Sequence, residues 1–118
     1  MMTDTFAVPY YAVIFTSIRT SQEAEAYDQA ALRMLELVRE QPGFLGVEST
    51  RGEDGLGITV SYWSSEAAIL AWKEHPEHRQ IRERGRSTWY RHCTTRVSKV
   101  ERNYRYSARG TTAPGVSM

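Results

Sequence analysis

The hydrophobic period of this 118-residue chain changes from strand-like to helix-like and back, twice. The first strand pattern, "YYAVIFTSIR" from Tyr10, is aromatic and β-branched. Residues 21–41 then repeat their apolar positions every three or four residues, which predicts a long amphipathic helix with Ser21 as its N-cap. The triplet Gln41-Pro42-Gly43 ends this helix, because proline cannot continue it and glycine accepts a left-handed turn.

The second half of the chain repeats the scheme. The stretches "FLGVEST" and "GITVSYW" predict two strands, and the polar, glycine-rich residues 51–57 between them predict a hairpin turn. "SSEAAILAWKEH" then predicts a helix capped by Ser64 or Ser65. Pro76 ends that helix or opens a new turn, and a short second helix follows to near Gly85. From Ser87 the chain alternates again without a cleanly apolar face, which predicts a bulge or a subunit contact in the last strand.

The order strand, helix, strand, strand, helix, strand predicts an α+β domain of the ferredoxin-like, split βαβ type with a four-stranded antiparallel sheet. The length suits one domain, over residues 10–107, with an N-terminal extension (1–9) and a flexible tail (108–118). One apolar set combines the first and third strands, and a second set lies on the other face of the first strand. A sheet apolar on both faces needs another layer, so we predict a homodimer whose sheets close face to face. The first set is Tyr11, Val13, Phe15, Ile58, Val60 and Tyr62, and the second is Ala12, Ile14 and Ile18.

The charge and composition of the chain argue against several partners. The net charge is +1, so there is no strong electrostatic attraction to nucleic acid. No apolar run approaches the ~20 residues of a membrane span, and the N-terminus has no signal-peptide pattern. The single cysteine, Cys93, cannot form an internal disulfide or a thiolate zinc site, which favours a reducing cytoplasm.

The motif "WKEHPEH" contains the strongest candidates for chemistry. His75 and His78 have a spacing that suits one helix face, but Pro76 lies between them, and two imidazoles without a third ligand make a weak metal site. We therefore predict no metal. His78 is the candidate general base because its unperturbed pKa near ~6.5 lets it accept a proton at neutral pH. The alternative is a histidine that caps or packs a helix. Trp72 likewise suits either core packing or a ligand wall.

Four stretches, in this order and at these separations, resemble the antibiotic biosynthesis monooxygenase (ABM) domain family. They are "YYAVIFTSIRT", "QPGFLGVEST", "GITVSYWSSEAAILAWKEHPEHR" and "GRSTWYRHCTTRVSKVERNY". The resemblance covers roughly residues 10–106 and is strongest to small bacterial proteins grouped with the haem-degrading monooxygenases. It implies a dimeric α/β barrel of ferredoxin-like subunits, with a pocket between the sheet and the helix after the third strand. Trp72 matches the tryptophan of that pocket, and His78 stands where some polyketide oxygenases have a tyrosine.

Other positions depart from the family patterns. The haem-degrading members use an asparagine on the first strand, where this chain reads "AVIFTS", and an axial histidine that would fall near Ile81. Haem is therefore disfavoured, and no cofactor is predicted. The asparagine of some polyketide oxygenases aligns with Ala68.

The resemblance and the residues together predict a cofactor-independent monooxygenase acting on a small phenol- or quinol-like compound. Its catalytic residues would be His78 and Trp72, in an apolar pocket with Tyr11, Tyr62, Trp89 and Tyr90. The alternative is a non-catalytic dimeric module for small-ligand binding or stress response.

Overall fold

The computed structural model describes residues 2–108 of the chain. The strands are β1 (Tyr10–Arg19), β2 (Phe44–Arg51), β3 (Leu56–Trp63) and β4 (Tyr90–Val100). The helices are α1 (Ala24–Val38), α2 (Glu66–Glu74) and α3 (Pro76–Arg84), and a π-helical turn, Gly85–Trp89, leads into β4. Neighbouring strands are antiparallel in the order β2-β3-β1-β4. This is the ferredoxin-like arrangement, so the predicted fold class is confirmed.

The first helix begins later than predicted. Ser21 does not cap it; Glu23, in the left-handed region at φ 52°, precedes the first helical residue and makes no side-chain cap. The prediction of a Ser21 cap is wrong because residues 20–23 are used to turn the chain. The hydroxyl of Thr20 accepts a hydrogen bond from Gln22 N at 3.2 Å, and the Glu23 carboxylate forms an ion pair with Arg84 near the end of α3.

Two turn predictions and one cap prediction are confirmed. Gly43 takes a φ of 84° in the α1–β2 connection, and Gly55 takes a φ of 90° in the β2–β3 hairpin. Both angles lie in the region that favours glycine. The side chain of Ser65 accepts a hydrogen bond from Ala68 N at 3.1 Å and so caps α2.

The strand register corrects the predicted grouping of apolar residues. Tyr11 stands opposite Trp63, which stacks on Trp72 of α2, so Tyr11 lies on the helix-facing side together with the next alternate residues of β1. Tyr62 instead stands opposite Ala12, on the outer side. The prediction that Ile58, Val60 and Tyr62 share a face with Tyr11, Val13 and Phe15 is therefore wrong. Both strands alternate, and sequence alone does not fix which parity of one strand meets which parity of the other.

The irregularity predicted for the last strand is confirmed. Ile18 pairs with His92 whereas Arg19 pairs with Tyr90, so Arg91 is an extra residue in β4. Such a bulge re-aims the side chains on either side of it. The strand β4 lies at one edge of the sheet. Residues 91–99 are exposed throughout, so no other layer of the described chain covers this strand.

The N-terminal extension covers one end of the outer sheet face. The ring of Phe6 packs against Tyr10 and Tyr62, with centroid distances of 5.4 and 5.7 Å. A Cβ on Gly46 of β2 would lie 3.1 Å from Phe6 Cζ. Asn103, beyond β4, accepts hydrogen bonds from Phe6 N and the Tyr10 hydroxyl at 3.3 and 2.8 Å. The segment before β1 and the segment after β4 therefore meet on this face.

The other end of the outer face is open, with Leu56 and Ile58 still 46% and 41% exposed. The predicted homodimer, in which a second copy covers this face, stays a prediction. The predicted flexible tail lies, from residue 109 onward, outside the described residues. Between residues 2 and 108 no helix has the length and apolar character needed to cross a membrane.

Candidate functional site

The joint between α2 and α3 sets the position of both histidines of "HPEH". The helix α2 ends at Glu74, and Pro76 is the first residue of α3. The Nδ1 atom of His75 accepts a hydrogen bond from Glu77 N at 3.2 Å, so His75 caps α3. The predicted break at Pro76 is confirmed. Over the described range 2–108, no three or more His, Cys, Asp or Glu side chains are grouped so that they could hold a metal ion.

His78 is held in one orientation and one tautomer. Its Nδ1 atom lies 2.9 Å from the carbonyl oxygen of Trp72. A carbonyl can only accept, so Nδ1 carries the proton and Nε2 carries the lone pair. Burial lowers the pKa of His78 below its ordinary 6.5; the hydrogen bond to Trp72 opposes this shift, and the charges of Arg82 and His75 add to it. His78 is therefore a neutral imidazole at pH 7, with Nε2 as its basic atom.

Trp72 forms the centre of an aromatic stack. The His78 ring lies parallel to it, 4.3 Å between centroids and 10° between planes. On the β3 side Trp63 stacks at 6.5 Å and 29°. Trp63 is fully buried, contacts Phe44 edge-on, and donates its indole N–H to Ser61 Oγ at 2.9 Å. The stack therefore connects His78 to the sheet through Trp72 and Trp63.

Tyr90 adjoins Gly85, the residue that follows α3. Gly85 follows His78 by seven residues on the same helix face, which corresponds to about 10 Å. A Cβ on Gly85 would lie 2.8 Å from the Tyr90 ring, so the inner side of α3 leads from His78 to Tyr90. The Tyr90 hydroxyl donates to that of Tyr27 at 3.2 Å. Trp89 is 2% exposed and packs edge-on against Tyr27, as a core residue.

The two other predicted pocket tyrosines lie on opposite faces of the sheet. Tyr11 lies on the helix-facing side, opposite Trp63. Tyr62 lies on the outer side, where its hydroxyl donates to Glu48 Oε1 at 2.5 Å. Burial, followed by the bond and charge of Glu48, raises the pKa of Tyr62 to about 12. The structure therefore places Tyr11 on the same side as Trp72 and His78, and it separates Tyr62 from them.

Tyr90, which the sequence predicted as a pocket residue, belongs to a polar cluster on the helix-facing side that sequence reasoning did not predict. The cluster is formed by Ser17, Tyr27, Arg51 and Tyr90. We refer to these four residues as the phenol–arginine cluster. Arg51 Nη2 donates to Ser17 Oγ at 2.8 Å and to the Tyr27 hydroxyl at 3.3 Å, and its Nη1 donates to the carbonyl of Gly55 at 2.5 Å. The one available signal was Ser17, a polar residue within an apolar strand, and it is 1% exposed.

A surface cleft of about 380 Å³ lies beside α2 but includes neither Trp72 nor His78. It is formed where the α1–β2 turn meets the first turns of α2. Most of its lining residues are small, so it offers few groups for proton transfer. Its lining residues are Gln41, Pro42, Gly43, Ser64, Ser65, Ala67, Ala68 and Ala71.

Solved structures share this fold at low sequence identity. Protein PA3566 from Pseudomonas aeruginosa superposes with a TM-score of 0.65 at 15% identity, covering 84% of this chain and 99% of that one. Protein Rv0793 from Mycobacterium tuberculosis gives 0.66 at 16%, covering 75% and 92%. A structure described as antibiotic biosynthesis monooxygenase gives 0.66 at 13%, covering 79% and 98%. These similarities show the fold alone.

The sequence itself shows the family. The chain is 53% identical over 94 residues to the uncharacterized protein YqjZ of Bacillus subtilis (strain 168), which covers 80% of this chain and 82% of YqjZ. Residues 9–84 match the family model "Antibiotic biosynthesis monooxygenase". This range includes the aromatic stack and His78. The chain belongs to the antibiotic biosynthesis monooxygenase (ABM) family.

Proposed function

We propose that the protein is a cofactor-independent monooxygenase for a small phenol- or quinol-like compound, with His78 as its general base. The observation that carries this proposal is the hydrogen bond from His78 Nδ1 to the Trp72 carbonyl, at 2.9 Å. It leaves Nε2 as a proton acceptor beside an aromatic wall. The lowered pKa keeps that acceptor unprotonated at neutral pH.

The reaction balances without a separate electron donor. Nε2 removes a proton from an acidic C–H of the electron-rich ring compound and leaves a carbanion. The carbanion gives electrons to O₂, and the resulting C–O bond forms a hydroperoxide once a proton returns. The reacting carbon must be a CH₂ group, because its second hydrogen then leaves as a proton while the O–O bond breaks, which gives a carbonyl and water. One oxygen atom thus enters the product and the other leaves as water. The substrate supplies all the electrons, and the protein orients it and accepts the first proton.

The surroundings of His78 support the binding of a flat, apolar compound. The rings of Trp72 and His78 are parallel and that of Trp63 is inclined by 29° to Trp72, so the surroundings of His78 are aromatic and apolar. His78 is held against Trp72 by both the stack and the hydrogen bond, so its rotamer needs no adjustment when a substrate arrives.

An oxygen electrode tests the proposal. Purified protein is mixed with a panel of anthrone-like phenols and quinols, and oxygen uptake is compared with that of the His78→Asn and Trp72→Phe variants. His92→Gln is the matched control, because His92 is an exposed histidine on β4. We expect uptake by the wild type and the control and its loss in His78→Asn. No uptake across the panel would leave the non-catalytic binding module as the better description.

Haem degradation is a second candidate function, and the position of the lone pair on His78 Nε2 favours it. A neutral imidazole whose Nδ1 is hydrogen-bonded to a carbonyl presents Nε2 as a ligand for haem iron. Two features of the sequence argue against haem degradation. The first strand lacks the asparagine of the haem-degrading members, and the position of their axial histidine falls near Ile81. Titration with haem separates the two candidates. A Soret shift at stoichiometric haem that is lost in His78→Asn would replace the first proposal by this one.

We also propose that the protein acts as a homodimer in the cytoplasm. The exposed strand β4 and the open end of the outer face, at Leu56 and Ile58, support a second copy as the missing layer. The free, exposed Cys93 suits a reducing compartment. Light scattering that shows a monomer at micromolar concentration would contradict the dimer.

A further inference from the structure

The phenol–arginine cluster has more hydrogen-bond donors than acceptors. The Tyr27 hydroxyl already receives Arg51 Nη2–H at 3.3 Å and the Tyr90 O–H at 3.2 Å. Ser17 Oγ also receives Arg51. Each phenol has one proton to donate, and the bond between the two phenols uses only one of them. One phenolic O–H is therefore left without an acceptor among residues 2–108.

The charge at the cluster is also uncompensated. The ion pairs of the described chain involve Arg33, Arg84 and Arg105, whereas neither Arg51 nor Arg19 pairs with a carboxylate there. The guanidinium carbon of Arg19 lies 3.8 Å from the centroid of the Tyr27 ring. Two cations thus flank the phenols, and an anion placed among them would be attracted by both.

A buried indole adds another unpaired donor next to the cluster. Trp89 is 2% exposed, and its Nε1–H has no acceptor within the described chain. Its ring centroid lies 5.6 Å from that of Tyr27. Buried donors are normally paired, so an unpaired indole N–H whose ring contacts Tyr27 marks a place that lacks an acceptor.

Tyr90 is in the protonation state that donates. Burial raises its pKa above the ordinary value, and the hydrogen bond and charge of Tyr27 act in the same direction. Arg51 and Arg19 act in the opposite direction but do not outweigh burial. The phenol therefore keeps its proton at neutral pH and donates it to the Tyr27 hydroxyl, which leaves the Tyr27 O–H to donate to an anionic oxygen.

The cluster lies within reach of a ligand that contacts His78. The inner side of α3 spans about 10 Å from His78 to Gly85, which adjoins the Tyr90 ring. The ring of Phe15 lies 5.4 Å from that of Tyr90, between centroids. Phe15 is on the helix-facing side of β1 and forms part of the floor, by which we mean the sheet surface between His78 and Tyr90. The helix-facing residues of the neighbouring strand, Cys93 and Val97, are exposed and leave this floor open from the side of β4. A compound of two or three fused rings could therefore touch both ends.

We propose that the phenol–arginine cluster is an oxyanion site that binds an ionised oxygen on the aromatic substrate, at the end of the molecule remote from His78. This inference rests on the proposed function. When Nε2 removes a proton at one side of a conjugated ring system, the negative charge moves to an oxygen at the other side. Donors and cations fixed there stabilise the charge as it develops. The substrate class is thereby narrowed to fused aromatic compounds with a phenolic, enolic or carboxylic oxygen opposite the reacting carbon.

Calorimetric titration with two non-oxidisable probes tests the site without turnover. The probes are 2-naphthoate and its neutral counterpart 2-naphthamide, which differ mainly in charge. We expect the wild type to prefer the carboxylate at least about tenfold, since a hydrogen bond to a charged group contributes roughly that factor. Tyr90→Phe keeps the ring but removes the hydroxyl that occupies the Tyr27 oxygen and so orients the Tyr27 O–H, and it should lower the preference about tenfold. Tyr27→Phe should do the same.

Tyr104→Phe is the control, because Tyr104 is an exposed tyrosine outside the cluster. It should leave the preference unchanged. Equal affinity for the two probes, binding of neither, or a preference that survives in Tyr90→Phe would overturn the oxyanion site. A preference for the carboxylate without oxygen uptake would refute the monooxygenase instead, so failure of the site and failure of the function have different signatures.

Discussion

Substitutions at His78 can separate its three contributions, which are the aromatic stack, the hydrogen bond to Trp72 and the basic nitrogen. His78→Phe keeps a ring on Trp72 and removes both nitrogens. His78→Asn places an amide N–H where Nδ1–H was and removes the ring and Nε2. His78→Ala removes all three. The expected losses of stability depend on two contacts of His78: the 2.9 Å hydrogen bond from Nδ1 to the Trp72 carbonyl oxygen, and the parallel stack on the Trp72 ring with 4.3 Å between centroids.

The expected losses of stability follow from these two contacts. A partly buried hydrogen bond contributes about 1 kcal/mol, so His78→Phe should lose about that amount. An aromatic pair contributes about 1 kcal/mol beyond its buried area, so His78→Asn should lose a similar amount. His78→Ala should lose about 2 kcal/mol or more. Urea unfolding followed by tryptophan fluorescence, at a pH of about 7.5 where the imidazole is neutral, measures all three.

The pH dependence of stability gives a sharper test. The pKa of His78 is lower in the folded chain than its ordinary 6.5, so between the two values the unfolded chain binds more protons. The free energy of unfolding of the wild type should therefore fall as the pH drops below about 6.5, and level off below the lowered pKa. This component should vanish in His78→Phe, whereas His92→Gln should keep it. An equal pH slope in wild type and His78→Phe would refute the buried, neutral imidazole.

Three further predictions concern the frame around the site. Gly43→Ala should cost about 2–4 kcal/mol in urea unfolding, because the left-handed φ of 84° is strained for alanine and the new Cβ would lie 2.6 Å from Ala68 Cβ. Adding Ala68→Gly should relieve only the clash with Ala68, since Ser64 Oγ would still lie 2.9 Å from the new Cβ and the backbone strain would remain. Ser65→Ala should cost about 1 kcal/mol by removing the cap of α2, and an unchanged unfolding midpoint would contradict the cap. The hydrogen bond from Tyr62, followed by that from Thr3 N, lowers the pKa of Glu48. The contribution of Glu48 to the free energy of unfolding should therefore be complete above its ordinary pKa of 4.5 and be lost as the pH falls through the lowered pKa. Acid titration of Tyr62→Phe should show a smaller loss of stability.

The sequence by itself determined the order and type of the elements. The β-branched run from Tyr10, the glycine-containing hairpin and the proline at position 76 act on the chain locally, through sterics and hydrogen bonding within a few residues. Their outcomes agree with the structure, from the bounds of β1 to the break between α2 and α3. The cap at Ser21 failed because residues 20–23 form a turn, in which Glu23 takes a left-handed conformation and pairs with Arg84 from a distant part of the chain.

Only the tertiary structure decided which side chains meet. An alternating strand has two faces, and the register with its neighbour chooses between them, so Tyr62 turned away from Trp72 while Tyr11 stayed on its side. The tautomer of His78 depends on a carbonyl that the helix break presents to it. The phenol–arginine cluster brings together Ser17, Tyr27, Arg51 and Tyr90 from three strands and a helix. Contacts of such long sequence separation leave no periodic signal, because each residue follows only the local pattern of its own element.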